Sequence, residues 1–288
     1  MNYSALIGKA TKHSVSPVMY AEMVRSVGIA AGYSHIKVDV EPARLGAAVA
    51  ALKELKFCGI SVTQPHKLEV VKYLDELDEA VSVLGAVNTV RVGKTLKGYN
   101  TDWLGIAAPV RRAMGAKPAR TATIFGTGGA ARAAIYAAKQ MGIAQVQVVH
   151  RNTPGGADRL AYLEAKQAEL GISLHTYGDI AEVVERSGLV INATSAGMVG
   201  ADAAPFDPDK LGGLNLAGKI YFEVVYNPLD TPLLRAFRDG GATTIDGLWM
   251  MIYQGVAALS IWLDATIELE RGELERIHGL LEKELRNV

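Results

Sequence analysis

The sequence predicts an α/β protein of two domains, and three features support this prediction. Over the first hundred residues, stretches typical of strands alternate with stretches typical of helices, as in a mainly parallel sheet covered by helices. A glycine-rich turn over residues 126–131 then connects an apolar strand to an alanine-rich helix, and further strand–helix units follow it. With 288 residues, the chain is long enough for two domains of ordinary size.

The first domain is predicted to alternate strands and helices up to residue 114. Ser16 and Pro17 suit the start of its first helix, because serine is a common N-cap and proline is tolerated in the first turn. The strand that begins at Phe57 should end before Gln64-Pro65. We predict strands over residues 3–9, 33–40, 57–63 and 85–92, and helices over residues 16–27, 41–55, 68–74, 80–84 and 103–114.

The second domain is predicted to be a doubly wound sheet. Gly115-Ala116-Lys117-Pro118 marks the boundary before it, and a long apolar helix over 247–263 follows it. That helix and a charged amphipathic helix over 274–286 are expected to pack back on the first domain. We predict strands over 121–125, 145–150, 173–177, 189–193, 219–225 and 242–245, and helices over 130–141, 157–170, 180–186 and 232–240. The predicted domains are residues 1–106 with 247–288, and residues 107–246.

The composition restricts the possible partners. The 30 basic and 30 acidic side chains balance, so we expect no basic surface of the kind that binds nucleic acid. Cys58 is the only cysteine, which suits a reducing compartment and excludes a cysteine-based metal site. The N-terminus lacks the pattern of a signal peptide, and residues 247–263 are few for a membrane span. We therefore expect a cytoplasmic monomer or homodimer that binds a small molecule but no metal, membrane or nucleic acid.

The glycine-rich turn carries a dinucleotide-binding pattern. Residues 126–131 fit G-x-G-x-x-A directly after an apolar strand. In such a turn the glycines let the backbone approach a ligand, and the N–H groups that open the next helix attract a phosphate. A plain turn before a buried helix can share this pattern, but the strand, turn and helix together favour a Rossmann-like cofactor domain. The candidate cofactor-binding residues of the turn are Gly126, Gly128, Gly129, Ala130 and Ala131.

The end of the next strand indicates which dinucleotide binds. Enzymes that prefer NAD usually have an acidic residue there, whereas this strand ends in His150-Arg151-Asn152 and the first acid is Asp158. Arg151 can bind a 2′-phosphate through two parallel hydrogen bonds. The hypothesis is therefore that the cofactor is NADP and that Arg151 selects it; the alternative is a solvated loop arginine.

Two ionisable residues at predicted strand ends are candidates for proton transfer. Lys67 and Asp102 each lie next to a turn at a strand's carboxyl end, where open α/β sheets bind their ligands. A lysine beside a carboxylate can act as general acid and base. Ordinary alternatives are a surface lysine and an aspartate that caps the following helix. Short polar residues at similar positions suit a small, hydroxyl-rich and anionic substrate: Ser14, Ser16, Thr63 and Asn88.

Eight short segments, spread over almost the whole chain, carry the most specific signal. They are His13–Pro17, Ser61–Lys67, Gly85–Thr89, Gly98–Gly105, Gly126–Ala131, Ile191–Met198, Val225–Leu233 and Asp246–Gly255. In this order they resemble motifs of the shikimate dehydrogenase family, among them H-S-x-S-P, G-A-V-N-T, G-x-N-T-D-x-x-G and N-A-T-x-x-G-M. Together these motifs are far more specific than the glycine turn alone.

The resemblance implies NADP-dependent, reversible reduction of 3-dehydroshikimate to shikimate, a step of aromatic biosynthesis. It makes Lys67 and Asp102 the catalytic pair, with Lys67 supplying the proton for the developing alkoxide and Asp102 fixing a neighbouring hydroxyl. Ser14 and Ser16 would bind the substrate carboxylate. The other implied substrate-site residues are Thr63, Asn88, Gln254, Tyr226 and Met250, and those near the nicotinamide are Thr194, Met198 and Gly247.

Two departures from the family pattern leave alternatives open. Ser61 occupies a position where many members have asparagine, and His150-Arg151-Asn152 replaces the common N-R-T. A quinate/shikimate dehydrogenase that uses NAD or NADP is therefore the second interpretation. A third is an NADP-binding sensor without catalysis, although a sensor has no need of the pair formed by Lys67 and Asp102.

Overall fold

The computed structural model describes residues 2–9, 11–115, 119–151 and 157–286. These residues form two compact units. The first unit comprises Met1–Asp102 and Ile252–Val288, and the second unit comprises Trp103–Met251. The boundaries between the two units thus follow Asp102 and Met251, whereas the boundaries predicted from the sequence follow residues 106 and 246.

The first unit contains a mixed six-stranded sheet in the order β2-β1-β3-β5-β6-β4. Its strands are β1 (Asn2–Gly8), β2 (Tyr33–Asp39), β3 (Gly59–Val62), β4 (Glu76–Leu77), β5 (Thr89–Val92) and β6 (Leu96–Tyr99). β1 is parallel to β2 and β3, whereas β5 is antiparallel to both β3 and β6. The carboxyl ends of β1, β3 and β6 and the start of β5 therefore meet at one edge of the sheet, which we call the upper edge.

Short helices cover this sheet and bury its alternating apolar residues. They are α1 (Ser16–Ser26), α2 (Leu45–Glu54) and α3 (Glu79–Leu84). Ile7, Ile60 and Val90, one from each central strand, are fully buried in the core against Leu45 and Val49 of α2. This apolar layer fixes the strand register and so determines which residues reach the upper edge.

Two predicted elements of the first unit differ in the structure. The helix expected over 68–74 is a 3-10 helix, Glu69–Tyr73, and the strand expected over 85–92 begins only at Thr89. The reason for the second difference is that residues before Thr89 bond to separate segments: Val87 N donates to Lys67 O and Asn88 N donates to Tyr99 O. The 2-residue strand β4 carries no clear sequence signal.

The second unit contains a fully parallel six-stranded sheet in the order β12-β11-β10-β7-β8-β9. This is the doubly wound order of dinucleotide-binding folds, which confirms the predicted fold class. Its strands are β7 (Thr121–Phe125), β8 (Gln145–His150), β9 (Ile172–Thr176), β10 (Leu189–Asn192), β11 (Ile220–Glu223) and β12 (Thr243–Ile245).

Helices pack on this parallel sheet and complete the second unit's core. They are α4 (Asp102–Met114), α5 (Gly129–Gln140), α6 (Ala157–Ala165), α7 (Gln167–Leu170), α8 (Ile180–Arg186) and α9 (Pro232–Asp239), with α4 starting at the last residue of the first unit. Alanines of α5 are fully buried against Ile124 and Val148, so small side chains let this helix lie close to the strands. The helix expected over 157–170 is divided at Lys166. Predictions that fall on residues 116–118 and 152–156, including Asn152, lie outside the described residues.

The C-terminal helices α10 (Gly247–Leu263) and α11 (Arg271–Arg286) return the chain to the first unit. Within that unit, Trp262 packs against Gly59, where any side chain would clash with the indole ring. Arg276 of α11 donates to Ser26 Oγ of α1 at 2.8 Å. The predicted packing of these helices on the first domain is thereby confirmed. In the described part of the chain, no helix combines the length and apolar character that crossing a bilayer requires.

Candidate active site

A lysine–carboxylate pair lies at the upper edge of the first unit's sheet. Lys67 follows β3 and Asp102 follows β6, and their atoms Nζ and Oδ2 are 2.6 Å apart. The Lys67 side chain is 24% exposed and that of Asp102 only 6%, so water reaches the ammonium group more easily than the carboxylate. The structure therefore brings together the two residues that the sequence singled out for proton transfer.

Hydrogen bonds from neighbouring polar side chains fix the carboxylate. Asn88, just before β5, donates from Nδ2 to Asp102 Oδ1 at 2.9 Å and to Thr101 Oγ1 at 3.0 Å. Its Oδ1 accepts the N–H of Thr101 at 2.7 Å. Gln254 Oε1 lies 3.3 Å from Asn88 Nδ2, which links α10 to the same network. Asn88 and Gln254, both predicted as substrate-site residues, thus lie in one hydrogen-bond network with the pair, and Thr101 is a member of that network that the sequence analysis missed.

This arrangement leaves each group of the pair in one defined orientation. Asp102 accepts from Lys67 on one oxygen and from Asn88 on the other. The Asp102 N–H donates to Asn100 Oδ1 at 3.1 Å, which also fixes the start of α4. A lysine held in this way can donate a proton to a substrate oxygen, and the carboxylate can accept a hydrogen bond from a neighbouring hydroxyl.

Ser14 and Ser16 lie after the carboxyl end of β1. Ser14 Oγ donates to Ser16 Oγ at 3.1 Å, and Ser16 N donates to Ser14 Oγ at 3.3 Å. The expectation that Ser16 is an N-cap is wrong: α1 begins at Ser16 itself, its N-cap is Val15, and no side chain caps it. The reason is that the Ser16 hydroxyl is hydrogen-bonded to His35 Nε2 at 3.2 Å instead.

The segment that carries this serine pair is fastened to β2. Thr11 donates from both its N–H and its hydroxyl to Asp39 Oδ1 at 2.6 Å. Lys37 Nζ donates to the carbonyls of Lys12 at 2.6 Å and Ser14 at 3.2 Å. Asp39 and Lys37 stand two residues apart on β2 and therefore share one face of the strand with His35. The alternation over residues 33–40, from which this strand is predicted, thus also places these three polar residues on one face.

Thr63 lies directly after β3, in the turn that leads to Lys67. Its N–H donates to Ile7 O at 2.9 Å, and its methyl group packs against Gly8, where a Cβ atom would come within 2.3 Å. The structure thus places Thr63 at the upper edge between β1 and β3, on the strand end that also leads to the lysine.

The second unit contains the predicted glycine turn between β7 and α5. Gly126 has φ +113°, and a Cβ atom on it would lie 3.0 Å from Ala193 O, so only glycine suits this position. No side chain caps α5, whose N-cap is Gly128, and a Cβ on Gly129 would meet no heavy atom within 4 Å. Ala131 is fully buried, as the third small residue of the pattern requires. The helix start, with Ala130 in its first turn, therefore offers an open anion site.

Arginine side chains lie near this turn in the second unit. Arg151 follows β8 and donates from Nη1 to Asp202 Oδ2 at 2.8 Å; its side chain is 48% exposed. Arg159 Nη1 would lie 4.0 Å from a Cβ on Gly128. Arg132 of α5 stacks on the Tyr162 ring, with the guanidinium carbon 3.5 Å from the ring centroid. Arg151 is thus near the surface with one carboxylate partner, and the sequence analysis missed Asp202.

A buried carboxylate, Glu223 at the end of β11, organises two neighbouring loops of the second unit. It accepts from Asn192 Nδ2 at 2.9 Å, Thr231 Oγ1 at 3.0 Å and Tyr221 OH at 2.8 Å, and from the Val225 N–H at 3.0 Å. Burial raises the pKa of the Glu223 carboxyl, and these hydrogen bonds act in the opposite direction. No feature of the sequence analysis had identified Glu223.

The loops held by Glu223 carry the residues expected near the nicotinamide. Asn192 Oδ1 accepts the Thr194 hydroxyl at 2.7 Å, and Met198, in the same loop, is half-exposed. Burial raises the pKa of Tyr226, which directly follows Val225. A Cβ on Gly247 would lie 2.5 Å from Val225 O, so this glycine permits the close approach of α10 to the loop. Met250 of α10 is buried in the second unit's core.

Replacing Glu223 by alanine is expected to lower the free energy of unfolding by about 2 kcal/mol, because several buried donors would lose their acceptor. Urea denaturation followed by circular dichroism measures the change. Glu182→Ala is the matched control, since Glu182 is exposed and, among the described residues, pairs only with Arg186 on its own helix; it should change stability by less than about 0.5 kcal/mol. Equal midpoints for the two variants would contradict the organising role of Glu223.

The fold and the two sites define the class of this protein. A parallel sheet with the glycine turn and an uncapped helix start is a dinucleotide-binding unit, and the lysine–carboxylate pair of the first unit is suited to moving a proton. The class is therefore that of nicotinamide-dependent oxidoreductases.

Comparison with known proteins identifies the family. Residues 6–90 match the profile described as shikimate dehydrogenase substrate binding domain. A protein of Trichormus variabilis named shikimate dehydrogenase (NADP(+)) is 35% identical over 283 residues, covering 96% of each chain. The chain belongs to the shikimate dehydrogenase family.

Solved structures agree with this assignment. The shikimate 5-dehydrogenase of Thermus thermophilus, in complex with NADP(H) and shikimate, is 27% identical, with a TM-score of 0.82 and coverage of 97% of this chain and 99% of that one. The quinate dehydrogenase of Corynebacterium glutamicum, in complex with NAD, is also 27% identical, with a TM-score of 0.82 and coverage of 98% and 99%. Proteins of two substrate preferences thus share this fold.

Proposed function

We propose that this chain is an NADP-dependent shikimate dehydrogenase, which catalyses the reversible reduction of 3-dehydroshikimate to shikimate. The observation that carries this proposal is the contact of 2.6 Å between Lys67 and Asp102, supported by Asn88 and Gln254. The named relatives, which match over nearly the whole chain, support the reaction and the cofactor.

The residues of the first unit supply binding and proton transfer. Bound NADPH supplies the hydride. Lys67 donates a proton, directly or through water, to the oxygen that becomes the new hydroxyl, and its charge stabilises that oxygen as negative charge develops. Asp102 accepts a hydrogen bond from the adjacent substrate hydroxyl and keeps the lysine in place. Ser14 and Ser16 bind the carboxylate, and Thr63, Asn88 and Gln254 position the ring.

The second unit is proposed to bind the cofactor, with residues 107–246 as its functional core. The open, uncapped start of α5 fits a pyrophosphate, and Arg151 fits a 2′-phosphate once it exchanges its bond to Asp202 for one to the phosphate. Gly126, Gly128, Gly129, Ala130 and Ala131 form the phosphate turn. Thr194, Met198 and Gly247 are assigned to the nicotinamide end. Cytoplasmic location and a monomeric or homodimeric state stay predictions from the sequence.

A quinate/shikimate dehydrogenase that uses NAD or NADP is the second candidate. Arg151 already has a carboxylate partner, which weakens the preference for a 2′-phosphate, and a quinate dehydrogenase with NAD is among the similar structures. Ser61, a small buried residue of β3, is where a larger amide occurs in many members of the family.

Four reactions, followed at the absorbance band of reduced nicotinamide, test the proposal: shikimate and quinate, each with NADP and with NAD. Shikimate with NADP is expected to give the highest kcat/KM. Comparable turnover of quinate would favour the second candidate. An absence of turnover in all four reactions would refute both.

A further inference from the structure

A continuous chain of buried hydrogen bonds, which we call the relay, runs through Tyr33, Ser4, His35 and Ser16 in the first unit. Tyr33 OH lies 2.5 Å from Ser4 Oγ, and Ser4 Oγ lies 2.6 Å from His35 Nδ1. On the other side of the ring, His35 Nε2 lies 3.2 Å from Ser16 Oγ. Tyr33, Ser4, His35 and Ser16 are all buried. Each hydroxyl and ring nitrogen in this chain therefore depends on its neighbour for a hydrogen-bond partner.

The His35 ring is held in a fixed position and is neutral at physiological pH. The Tyr20 ring lies 4.4 Å from it between centroids, and Trp262 stacks on it at 6.1 Å. Burial lowers the pKa of His35 to about 3. A neutral imidazole has one donor nitrogen and one acceptor nitrogen, so the state of Nδ1 determines what Nε2 offers to Ser16.

Counting donors decides between the two tautomers. If Tyr33 donates to Ser4 and Ser4 donates to Nδ1, the Nε2–H donates to Ser16, and the one relay proton left over is that of Ser16, which a bound carboxylate can accept. In the opposite direction His35 donates to Ser4 and Ser4 to Tyr33, which leaves the buried Tyr33 proton without an acceptor in the relay. A lost hydrogen bond of this kind costs about 1–3 kcal/mol. With a carboxylate bound at Ser16, only the first arrangement gives every relay proton an acceptor, so the bound carboxylate favours it.

This arrangement fixes what the Ser16 hydroxyl can do. Its oxygen accepts from His35 Nε2 and from Ser14 Oγ, which occupies both of its lone pairs. Its proton then has no acceptor in the relay and is available to a ligand. A hydroxyl held in this state can donate a hydrogen bond but cannot accept one.

We infer that His35 is a positioning residue for substrate specificity: together with Ser4 and Tyr33 it keeps Ser16 as an obligatory hydrogen-bond donor toward the substrate's carboxylate. The inference rests on the proposed function, in which Ser14 and Ser16 bind that carboxylate. A carboxylate only accepts hydrogen bonds, whereas a carboxamide at the same position also presents N–H donors. The relay therefore favours the anionic substrate over its neutral amide.

Two substitutions of His35 separate this role from simple packing. His35→Phe keeps an aromatic ring against Tyr20 and Trp262 but removes both nitrogens. His35→Gln loses the ring but retains an N–H donor that can reach Ser16. We expect His35→Phe to raise the KM for shikimate by about tenfold, the effect of losing one hydrogen bond to a charged group, with kcat and the KM for NADP within about twofold of the wild type. His35→Gln should lie closer to the wild type than His35→Phe does.

Steady-state kinetics with shikimate and with its carboxamide measure these effects, and thermal denaturation checks that each variant is folded. The wild type should discriminate against the carboxamide more strongly than His35→Phe does, and Tyr33→Phe should show a smaller loss of discrimination. An unchanged KM in folded His35→Phe, or a larger KM rise in His35→Gln than in His35→Phe, would overturn the inference. Failure of the proposed function itself would be recognised separately, because the wild type would then not oxidise shikimate at all.

Discussion

Lys67→Ala is expected to lower turnover of shikimate by about 10²–10⁴-fold, the range typical for loss of a general acid and base. The alanine removes the proposed proton donor, while the carboxylate of Asp102 keeps its bond to Asn88. Asp102→Asn should act in the same range, because an amide oxygen neither balances the charge of Lys67 nor accepts the substrate hydroxyl as strongly. Initial rates at the nicotinamide band, at saturating shikimate and NADP, provide the measurement.

Lys72→Ala is the matched control for this pair. Lys72 lies five residues after Lys67, and its side chain is 67% exposed. Among the described residues, it forms an ion pair only with Glu69. Its substitution should leave kcat within about twofold of the wild type, as expected for a surface position. Near-normal turnover in both Lys67→Ala and Asp102→Asn would show that the pair is not the catalytic one.

Arg151→Ala is expected to lower kcat/KM for NADP by about 10²-fold and to leave kcat/KM for NAD nearly unchanged. The reason is that two charge-assisted hydrogen bonds to the 2′-phosphate would be lost, and NAD has no such phosphate. The ratio of the two efficiencies, measured with shikimate, reports the change. Arg186→Ala serves as the control, because Arg186 is exposed on α8 and pairs with Glu182.

Asp202 offers a second test of the same assignment. Because its carboxylate holds Arg151 at 2.8 Å, Asp202→Asn should free the guanidinium and increase the preference for NADP. An unchanged ratio of NADP to NAD efficiency in Arg151→Ala would make Arg151 an ordinary loop arginine, and the source of cofactor selectivity would have to be sought elsewhere in the second unit.

Features determined by local sequence were predictable. The glycine turn requires a backbone that only glycine adopts at Gly126. The strands beside it are rich in β-branched and apolar residues, and the predicted bounds of β7 and β8 match the observed ones. Lys67, Asn88 and Asp102 could be identified because polar residues at strand ends share one edge of a sheet. Their motifs then added the family and the reaction.

Features that depend on contacts between distant segments were not predictable. Ser16 has the sequence of a helix cap, yet its hydroxyl bonds to His35, 19 residues away. In the sequence, Glu223 has the features of an ordinary strand residue. Its hydrogen bonds to Asn192 and Thr231 form only when the chain is folded. Asp202 likewise meets Arg151 across 51 residues of chain. A side chain's partner across the sheet depends on register and packing, which a single sequence does not specify.

A double-mutant cycle on Lys67 and Asp102 tests most directly the claim that they act as one proton-transfer unit. The kcat values of Lys67→Ala, Asp102→Asn and the double variant are compared with that of the wild type. The effects of residues that act together are strongly non-additive, so the double variant is expected to be about as slow as the slower single variant. A double variant whose fold-decrease in kcat equals the product of the two single decreases would contradict the claim that the two residues act as one unit.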